Sequence, residues 1–362
     1  MPTPTFVKNV VKTCLHIGKE DRVMISGWRH MLDLAEAFTI ECRRAGAKTI
    51  TEFVSDEIFY DNVLNAPLDY LGSVNPFDLS LADTATANIF IPGPEDPRKL
   101  KGISPERLST MSHADRPFYD KFLENKVRTA QVMLGYVTHQ RAKTYGFDYD
   151  TWKENLDSAI DVKYEDMQKL AKKLAKSLER GSEVHITTAS GTDLRLNLEG
   201  RRPHVDDGII DKEDIENGAI FTSLPSGSVQ VAPTETSAQG LFVSNVPEPM
   251  YGILVHDATW NFKDGRLSSF KGGKNIAAAT ALWEREIGDK DRIGWITLGL
   301  NPKAKTGFTH SEIVLGTVTV GIGDNRELDG KNDSDYGCKF TATEPTVVLD
   351  GETIIKKGKF MI

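Results

Sequence analysis

The hydrophobic pattern of this chain changes at Gly181, and the change limits the folds that are open to it. Before Gly181, short apolar runs alternate with stretches of helical periodicity. Arg22–Gly27 is one such run, a helical pattern follows it up to Gly46, and Thr49–Val54 resumes as a strand. This βαβ alternation predicts a parallel sheet with crossover helices. After Gly181, period-2 runs separated by turns predict a mostly antiparallel sheet.

We therefore predict two domains of different class, an α/β domain over residues 1–180 and an α+β domain over residues 181–362. The chain has 362 residues, which is longer than a single hydrophobic core usually supports. In the second domain, Glu183–Thr188 and Asp193–Leu198 alternate with period 2 and form a predicted hairpin. Lys274–Ile287 is a predicted helical insertion between the strands.

Charge and cysteine content exclude several classes of partner. The chain carries 44 basic and 52 acidic residues, a net charge of −8, and no long basic cluster, so we expect neither nucleic-acid nor membrane-surface binding. Cys14, Cys42 and Cys338 are widely spaced and odd in number, which favours a reducing compartment over a disulfide framework. The N-terminus lacks a signal pattern and no apolar run is long enough to span a bilayer, so we expect a soluble, cytoplasmic protein.

The segment Gly316–Lys339 is a candidate floor for a functional site. Within it, Thr317–Ile322 alternates small or polar residues with branched apolar ones, which predicts a strand with one buried and one open face. Thr317 and Thr319 lie on the predicted open face. Gly323 and the residues after it allow a sharp turn of the backbone. The plain alternative is an ordinary edge strand that ends in glycine.

Five blocks of the second half resemble, in the same order, the aminopeptidase T and aminopeptidase S family of metallopeptidases. They are Thr187–Arg202 with Asp207-Gly208, Pro225–Pro233, Ile293–Pro302, Leu315–Gly323 and Ser334–Phe340. The first half fits more weakly, through Ala45–Ala47 and Pro97–Gly102. The resemblance implies an α/β domain followed by an α+β domain that carries the cleft, usually in a homodimer. It also implies carboxylates and histidines that hold two divalent metals and activate water for peptide hydrolysis.

The positions that this resemblance assigns to metal ligands carry other residues here. Ser228 and Trp295 stand at the two glutamate positions, Thr319 at the strand histidine and Arg326 at a nearby tyrosine. Gly337 and Lys339 stand at the final histidine and aspartate. Neither an indole nor a glycine supplies a metal donor, and an ammonium repels a cation. We therefore predict that the chain lacks the dinuclear site and uses no metal or other cofactor.

A second branch of the same superfamily, the 2,5-dihydroxypyridine dioxygenases, is also similar. Its Ile-Gly-Trp and Pro-Ser-Gly segments match Ile293–Trp295 and Pro225–Gly227. The resemblance to this branch implies one iron held by histidines and an aspartate. Those ligand positions carry Arg292, Gly337 and Lys339 here, so the pocket is expected to persist without the iron site.

The replacements suggest a cationic cleft for a small carboxylate or phenolate. We take Lys339, Arg292 and Arg326 as candidate catalytic residues. The candidate substrate-binding residues are Ser228, Trp295, Lys303 and Thr319. Trp295 could stack on a planar ring. The plain alternative is that Lys303 lies in an exposed loop and Trp295 lies in the core.

Three functions remain open from sequence. The favoured one is a metal-independent enzyme that acts on a small anionic or aromatic metabolite, in a homodimer. The second is a non-catalytic protein that binds such a molecule. The third is a metal-dependent aminopeptidase or dioxygenase with relocated ligands. The residues available for relocated ligands are His256, His310, Glu235, Asp257, Glu312, Asp324, Asp333 and Asp335.

Overall fold

The computed structural model describes residues 4–250, 253–334 and 336–362. Tertiary contacts divide the chain into two compact units. The first comprises Met1–Lys143, Asp148–Tyr164 and Gly208–Pro225, and the second comprises Thr144–Phe147, Glu165–Asp207 and Ser226–Ile362. The chain therefore passes between the units several times, whereas our sequence prediction has one boundary after residue 180.

Helices lie mainly in the first half of the chain. They are α1 (Pro4–Asn9), α2 (Leu32–Arg44), α3 (Asp56–Asn65), α4 (Leu68–Leu71), α5 (Pro76–Thr84), α6 (Pro105–Glu124), α7 (His139–Tyr145), α8 (Tyr149–Ile160), α9 (Tyr164–Arg180), α10 (Lys212–Glu216) and α11 (Ile276–Arg285). The last of these lies within the predicted helical insertion. None of the helices in the described residues is long and apolar enough to cross a membrane.

Strands dominate the second half. They are β1 (Arg22–Trp28), β2 (Lys48–Val54), β3 (Ala87–Phe90), β4 (Arg128–Val132), β5 (Glu183–Thr187), β6 (Asp193–Asn197), β7 (His204–Asp206), β8 (Phe221–Leu224), β9 (Ser228–Val231), β10 (Gln239–Val243), β11 (Glu248–Met250), β12 (Ile253–Val255), β13 (Thr259–Lys263), β14 (Arg266–Lys271), β15 (Ile293–Gly299), β16 (Val318–Gly323), β17 (Gly337–Ala342), β18 (Thr346–Leu349), β19 (Glu352–Lys356) and β20 (Lys359–Phe360).

The first unit is built on a five-stranded sheet in the order β2-β1-β3-β4-β8. All its pairings are parallel, as the βαβ alternation predicts. The central strands are apolar on both faces, and Ile25, Ile89 and Val132 are fully buried among the covering helices. Cys14 and Cys42 are buried thiols that form no disulfide bond.

The second unit contains antiparallel sheets. One has eight strands in the order β14-β13-β10-β6-β5-β18-β19-β20, and another has five in the order β17-β16-β15-β9-β7. The predicted hairpin is confirmed, because β5 pairs with β6 from Glu183↔Asn197 to Thr187↔Asp193. The predicted fold class, an α/β unit with a mostly antiparallel α+β unit, is confirmed.

An aromatic cluster joins the two large sheets of the second unit. Trp260 on β13 is fully buried, and its ring centroid lies 5.1 Å from that of Phe340 on β17. Phe262 and Phe270 pack edge-on against the same indole. Because burial of an aromatic side chain contributes on the order of 2–3 kcal/mol, this cluster fixes β17 firmly in the core.

The prediction that the strand Thr317–Ile322 has one open face is wrong. The strand, β16, lies between β15 and β17, and it is buried on both faces. Thr319 is fully buried, and its hydroxyl lies 2.8 Å from the Thr341 hydroxyl on the neighbouring strand. The two threonine hydroxyls thus bond to each other rather than to water. Alternating polar residues therefore occur here in a strand that is buried on both faces.

Candidate active site

Strand β17 places Lys339 on the face opposite the core. Lys339 pairs with Gly321 of β16, while its neighbours Cys338 and Phe340 are buried. Burial raises the pKa of the Cys338 thiol to about 12, so this cysteine stays protonated at neutral pH and is a poor nucleophile.

A short 3-10 turn, Ser311–Ile313, presents Glu312 to Lys339. The turn is held by the hydroxyl of Ser311, which accepts a hydrogen bond of 3.2 Å from the backbone N–H of Gly307. The residue before the turn, His310, has φ 64°, in the left-handed region that disfavours a residue with a Cβ. Such backbone strain costs on the order of 1 kcal/mol and often occurs at functional sites.

Lys339 and Glu312 form an ion pair between Nζ and Oε1. The imidazole Nδ1 of His310 lies 3.6 Å from the same carboxylate oxygen. Burial alone would raise the pKa of Glu312, but the Lys339 ammonium and His310 outweigh it and hold that pKa well below its usual range. Glu312 is therefore an anion at every pH near neutrality.

The same pairing keeps Lys339 positively charged. Burial would lower the pKa of Lys339, yet the carboxyl groups of Glu312 and Glu248 outweigh it and raise that pKa above its ordinary value. A lysine that acts as an amine nucleophile needs a lowered pKa. Lys339 is therefore suited to bind or stabilise negative charge and unsuited to covalent catalysis.

Glu248 is a further ionisable group of this cluster. It belongs to β11 and is 5% exposed. Burial raises the pKa of Glu248 to about 8, although the Lys339 ammonium opposes the increase. Its Oε2 atom is buried and has no hydrogen-bond partner among the described residues. At neutral pH, Glu248 is thus mostly a neutral carboxylic acid.

Of these groups, Lys339 and Glu248 border a pocket of about 180 Å³. It is lined by Glu248, Pro249, Met250, Gly337, Cys338 and Lys339. An apolar cavity of about 150 Å³ in another protein accommodates benzene. The pocket therefore has room for one small ring or a molecule of similar size.

The two predicted arginines lie outside this pocket. Arg292 donates from Nε to Asp289 Oδ1 at 2.8 Å. Arg326 is more than half exposed and forms ion pairs with Asp324 and Asp333. Each guanidinium is thus bound to carboxylates of the protein. Neither arginine lines the pocket with Lys339.

The predicted substrate-binding residues lie elsewhere in the second unit. Ser228 is buried on β9, opposite Gly299 of β15. Lys303 is exposed in a loop. Thr319 is in the sheet interior, as described above. None of these three lines the pocket.

Trp295 lies beside the pocket. Its indole covers Gly321 so closely that a Cβ at that position would overlap the ring. A Cβ built on the pocket residue Gly337 would lie 3.5 Å from Trp295 Cη2. The absence of a side chain at Gly321 therefore makes room for the indole, which lies in ordinary contact distance of the Gly337 wall.

Sequence reasoning overlooked Glu248 and named Glu312 only as a possible relocated metal ligand. A local signal for Glu248 exists, because an acidic residue between two prolines interrupts the otherwise apolar run Val246–Met250. Its approach to Lys339 is a long-range contact between β11 and β17, which local pattern does not reveal.

Comparison with known proteins identifies the family. The family model described as thermophilic metalloprotease (M29) matches residues 4–309. The chain belongs to the M29 family. The resemblance predicted from the five sequence blocks is therefore confirmed.

Two solved structures share the fold of this M29 protein. AmpT from Thermus thermophilus matches with a TM-score of 0.77 and 16% identity, over 99% of this chain and 98% of that chain. A 2,5-dihydroxypyridine dioxygenase from Pseudomonas putida KT2440 matches with a TM-score of 0.67 and 14% identity, over 99% and 96% of the two chains. No curated protein sequence matches significantly. At these identities the likeness shows a common fold.

The residues of this M29 chain do not fit the two metals that the family resemblance implies. Trp295 and Gly337, at two of the implied ligand positions, offer no donor, and Lys339 offers an ammonium that is already paired with Glu312. The described residues contain no group of three histidine, cysteine or acidic side chains able to hold a metal. Asp335, one of the residues considered for relocated ligands, lies outside the described residues.

Proposed function

We propose that this chain is a metal-independent enzyme that acts on a small anionic molecule, most suitably one with a single ring. The observation that carries the proposal is the Lys339–Glu312 ion pair at the wall of the pocket. The Lys339 side chain is 33% exposed, whereas that of Glu312 is 12% exposed. Lys339 also lines the pocket, whereas Glu312 does not, so Lys339 is the member of the pair that a ligand in the pocket would contact.

The charge of Lys339 supplies the chemistry in this proposal. A fixed ammonium in a partly desolvated pocket stabilises negative charge that develops on a substrate oxygen. Its buried partner Glu312 and the nearby His310 hold it in place, so little reorganisation is needed when that charge forms. In the family resemblance, Lys339 occupies the position of an aspartate ligand. The lysine charge thus takes the place of a metal's charge.

The size of the pocket and the fold neighbour support a ring-bearing substrate. The volume of about 180 Å³ accommodates one small ring. The dioxygenase with the same fold is named for 2,5-dihydroxypyridine, a small hydroxylated ring. An ionised hydroxyl or carboxyl group on such a ring would accept hydrogen bonds from the Lys339 ammonium.

Product formation by metal-free protein tests this function. Chelator-treated protein is incubated with hydroxylated benzoates and hydroxypyridines, and substrate loss is followed by mass spectrometry. We expect turnover that chelation leaves unchanged and that the double variant K339M/E312Q reduces at least about 100-fold, the scale of losing one electrostatic contact to the transition state. The double variant removes both charges together, so no buried charge is left unpaired.

The matched control is K263M, which makes the same substitution at an exposed lysine on β13 of the same unit. It should retain the activity of the unsubstituted protein. Turnover that requires added metal would contradict the proposal. So would saturable binding of a panel compound with no product, which would identify a binding protein instead.

A further inference from the structure

We propose that Glu248 is the specificity-determining residue of the pocket, and that its neutral carboxylic acid donates a hydrogen bond to the anionic oxygen that Lys339 also binds. This inference rests on the proposed function, because it concerns the same anionic ligand. It adds the Glu248 carboxylic acid as a second hydrogen-bond donor, and it states which protonation state of the pocket binds the anion. The ligand class is a small monoanion, a carboxylate or a phenolate.

The position of Glu248 supplies the first support. The residue is 5% exposed, it lines the pocket, and its Oε2 atom is without a hydrogen-bond partner among the described residues. Buried polar groups are nearly always paired, and an unpaired one in a native protein requires an explanation. A ligand oxygen in the pocket would provide the missing partner.

The balance of charge around Lys339 supplies the second support for the inference. Glu312 already neutralises the Lys339 ammonium. An ionised Glu248 would leave the cluster with two negative charges against one positive, and it would repel an anion. A neutral Glu248 leaves the cluster without net charge and offers an O–H donor beside the ammonium. Anion binding therefore requires the protonated form of Glu248.

The surroundings of Glu248 set the pH at which this form is lost. Burial raises the pKa of Glu248 to about 8. The groups that face it are Lys339 and Cys338 from β17 and Glu312 from the 3-10 turn, with His310 behind Glu312. Lys339 and Cys338 stay protonated up to higher pH, and Glu312 stays ionised down to lower pH. Of Glu248, Lys339, Cys338 and Glu312, Glu248 is thus the group that changes charge between pH 7 and 9.

Calorimetric titration with benzoate, a ring-bearing monoanion, tests the inference. For the unsubstituted protein, affinity should fall about tenfold from pH 7 to pH 9, since the neutral fraction of a group with pKa near 8 falls by that factor. E248Q replaces the acid by an amide that donates at every pH, so its affinity should be the same at pH 7 and pH 9. E248L removes the donor and should bind at least about tenfold more weakly at pH 7. Gln has the shape of the neutral acid, which favours correct folding of E248Q, and thermal unfolding checks both variants.

The outcomes separate this inference from the proposed function. If E248Q retains the tenfold loss between pH 7 and pH 9, or if E248L binds benzoate as tightly as the unsubstituted protein, the role of Glu248 is wrong. The proposed function still stands in that case, provided that K339M/E312Q weakens benzoate binding. If benzoate binds K339M/E312Q as well as the unsubstituted protein, the Lys339 site itself is wrong. Tighter binding of benzylamine than of benzoate would overturn both, because it would show a site for cations.

Discussion

Lys339 and Glu312 form an ion pair in which the Glu312 side chain is 12% exposed and the Lys339 side chain is 33% exposed. The two residues belong to different elements, β17 and the 3-10 turn at Ser311–Ile313, so their pairing also ties these elements together. A buried ion pair contributes little net stability, but removal of one partner leaves an uncompensated charge. The proposed anion binding and local stability therefore depend on the same contact.

A double-mutant cycle measures this dependence. K339M leaves Glu312 buried without its cation, and we expect a loss of about 2–4 kcal/mol in the free energy of unfolding. E312Q should cost less, since Lys339 is partly exposed. In the double variant K339M/E312Q, the loss should be smaller than the sum of the single losses by about 1–3 kcal/mol. Urea unfolding of the four proteins gives these values, and additive losses would mean that the pair is not coupled.

The pH dependence of stability reports the protonation of Glu248. Its pKa is about 8 in the folded protein, against an ordinary value of 4.5. Between these values the unfolded chain releases a proton that the folded chain keeps, so stability falls as pH rises, by at most about 1.4 kcal/mol per pH unit. Glu312, with a lowered pKa, and Lys339, with a raised pKa, titrate mainly outside this window.

E248Q removes this proton release from the unfolding equilibrium. Relative to the unsubstituted protein, it should therefore gain stability between pH 5 and pH 7.5, by at most about 3 kcal/mol. Urea unfolding of both proteins at the two pH values checks this. Parallel pH profiles would show that Glu248 is ionised in the folded protein at neutral pH.

The left-handed backbone of His310 predicts a graded series of variants. H310G relieves the strain at φ 64°, while H310A keeps the strain and loses the imidazole. H310A should therefore be less stable than H310G by about 1 kcal/mol, and H310N, whose side chain tolerates this region, should lie between them. Thermal unfolding ranks the three. An H310A protein as stable as H310G would show that the backbone is relaxed at this position.

Gly321 and Gly337 form a matched pair around Trp295. An added Cβ at Gly321 would overlap the indole, whereas one at Gly337 would meet only ordinary contacts, the nearest at 3.5 Å. G321A should cost about 2–3 kcal/mol of stability through overpacking, and G337A less than about 1 kcal/mol. Denaturant unfolding compares the two. Equal losses would mean that Trp295 moves freely away from Gly321.

Local pattern predicted the regular parts of the fold. The βαβ alternation and the β5–β6 hairpin follow from periodicity and turn residues, and the structure has both. The helices from α3 to α6 were not predicted, because Phe77 is 78% exposed and Leu123 is 61% exposed, and such residues blur the amphipathic pattern. Strand β8 joins the parallel sheet through a pairing with β4, and no local signal specifies so distant a partner.

The site was predictable only in part for the same reason. Lys339 stood out because the family resemblance assigned a metal ligand to its position. Its partners Glu312 and Glu248 come from a turn and a strand that are distant from it in sequence, and their altered pKa values arise from burial and from each other's charges. Periodicity carries no information about these interactions. The predicted strand face of Thr317 and Thr319 failed because paired hydroxyl groups permit threonine in an interior strand.

Calorimetric titration of benzoate into chelator-treated protein at pH 7 tests most directly whether the charge of Lys339 has replaced the charge of a metal ion. We predict saturable binding whose affinity is unchanged by added zinc or manganese and falls at least about tenfold in K339M/E312Q, the loss of one charge-assisted hydrogen bond. Binding that appears only after zinc or manganese is added, or that is as tight in K339M/E312Q as in the unsubstituted protein, would contradict it.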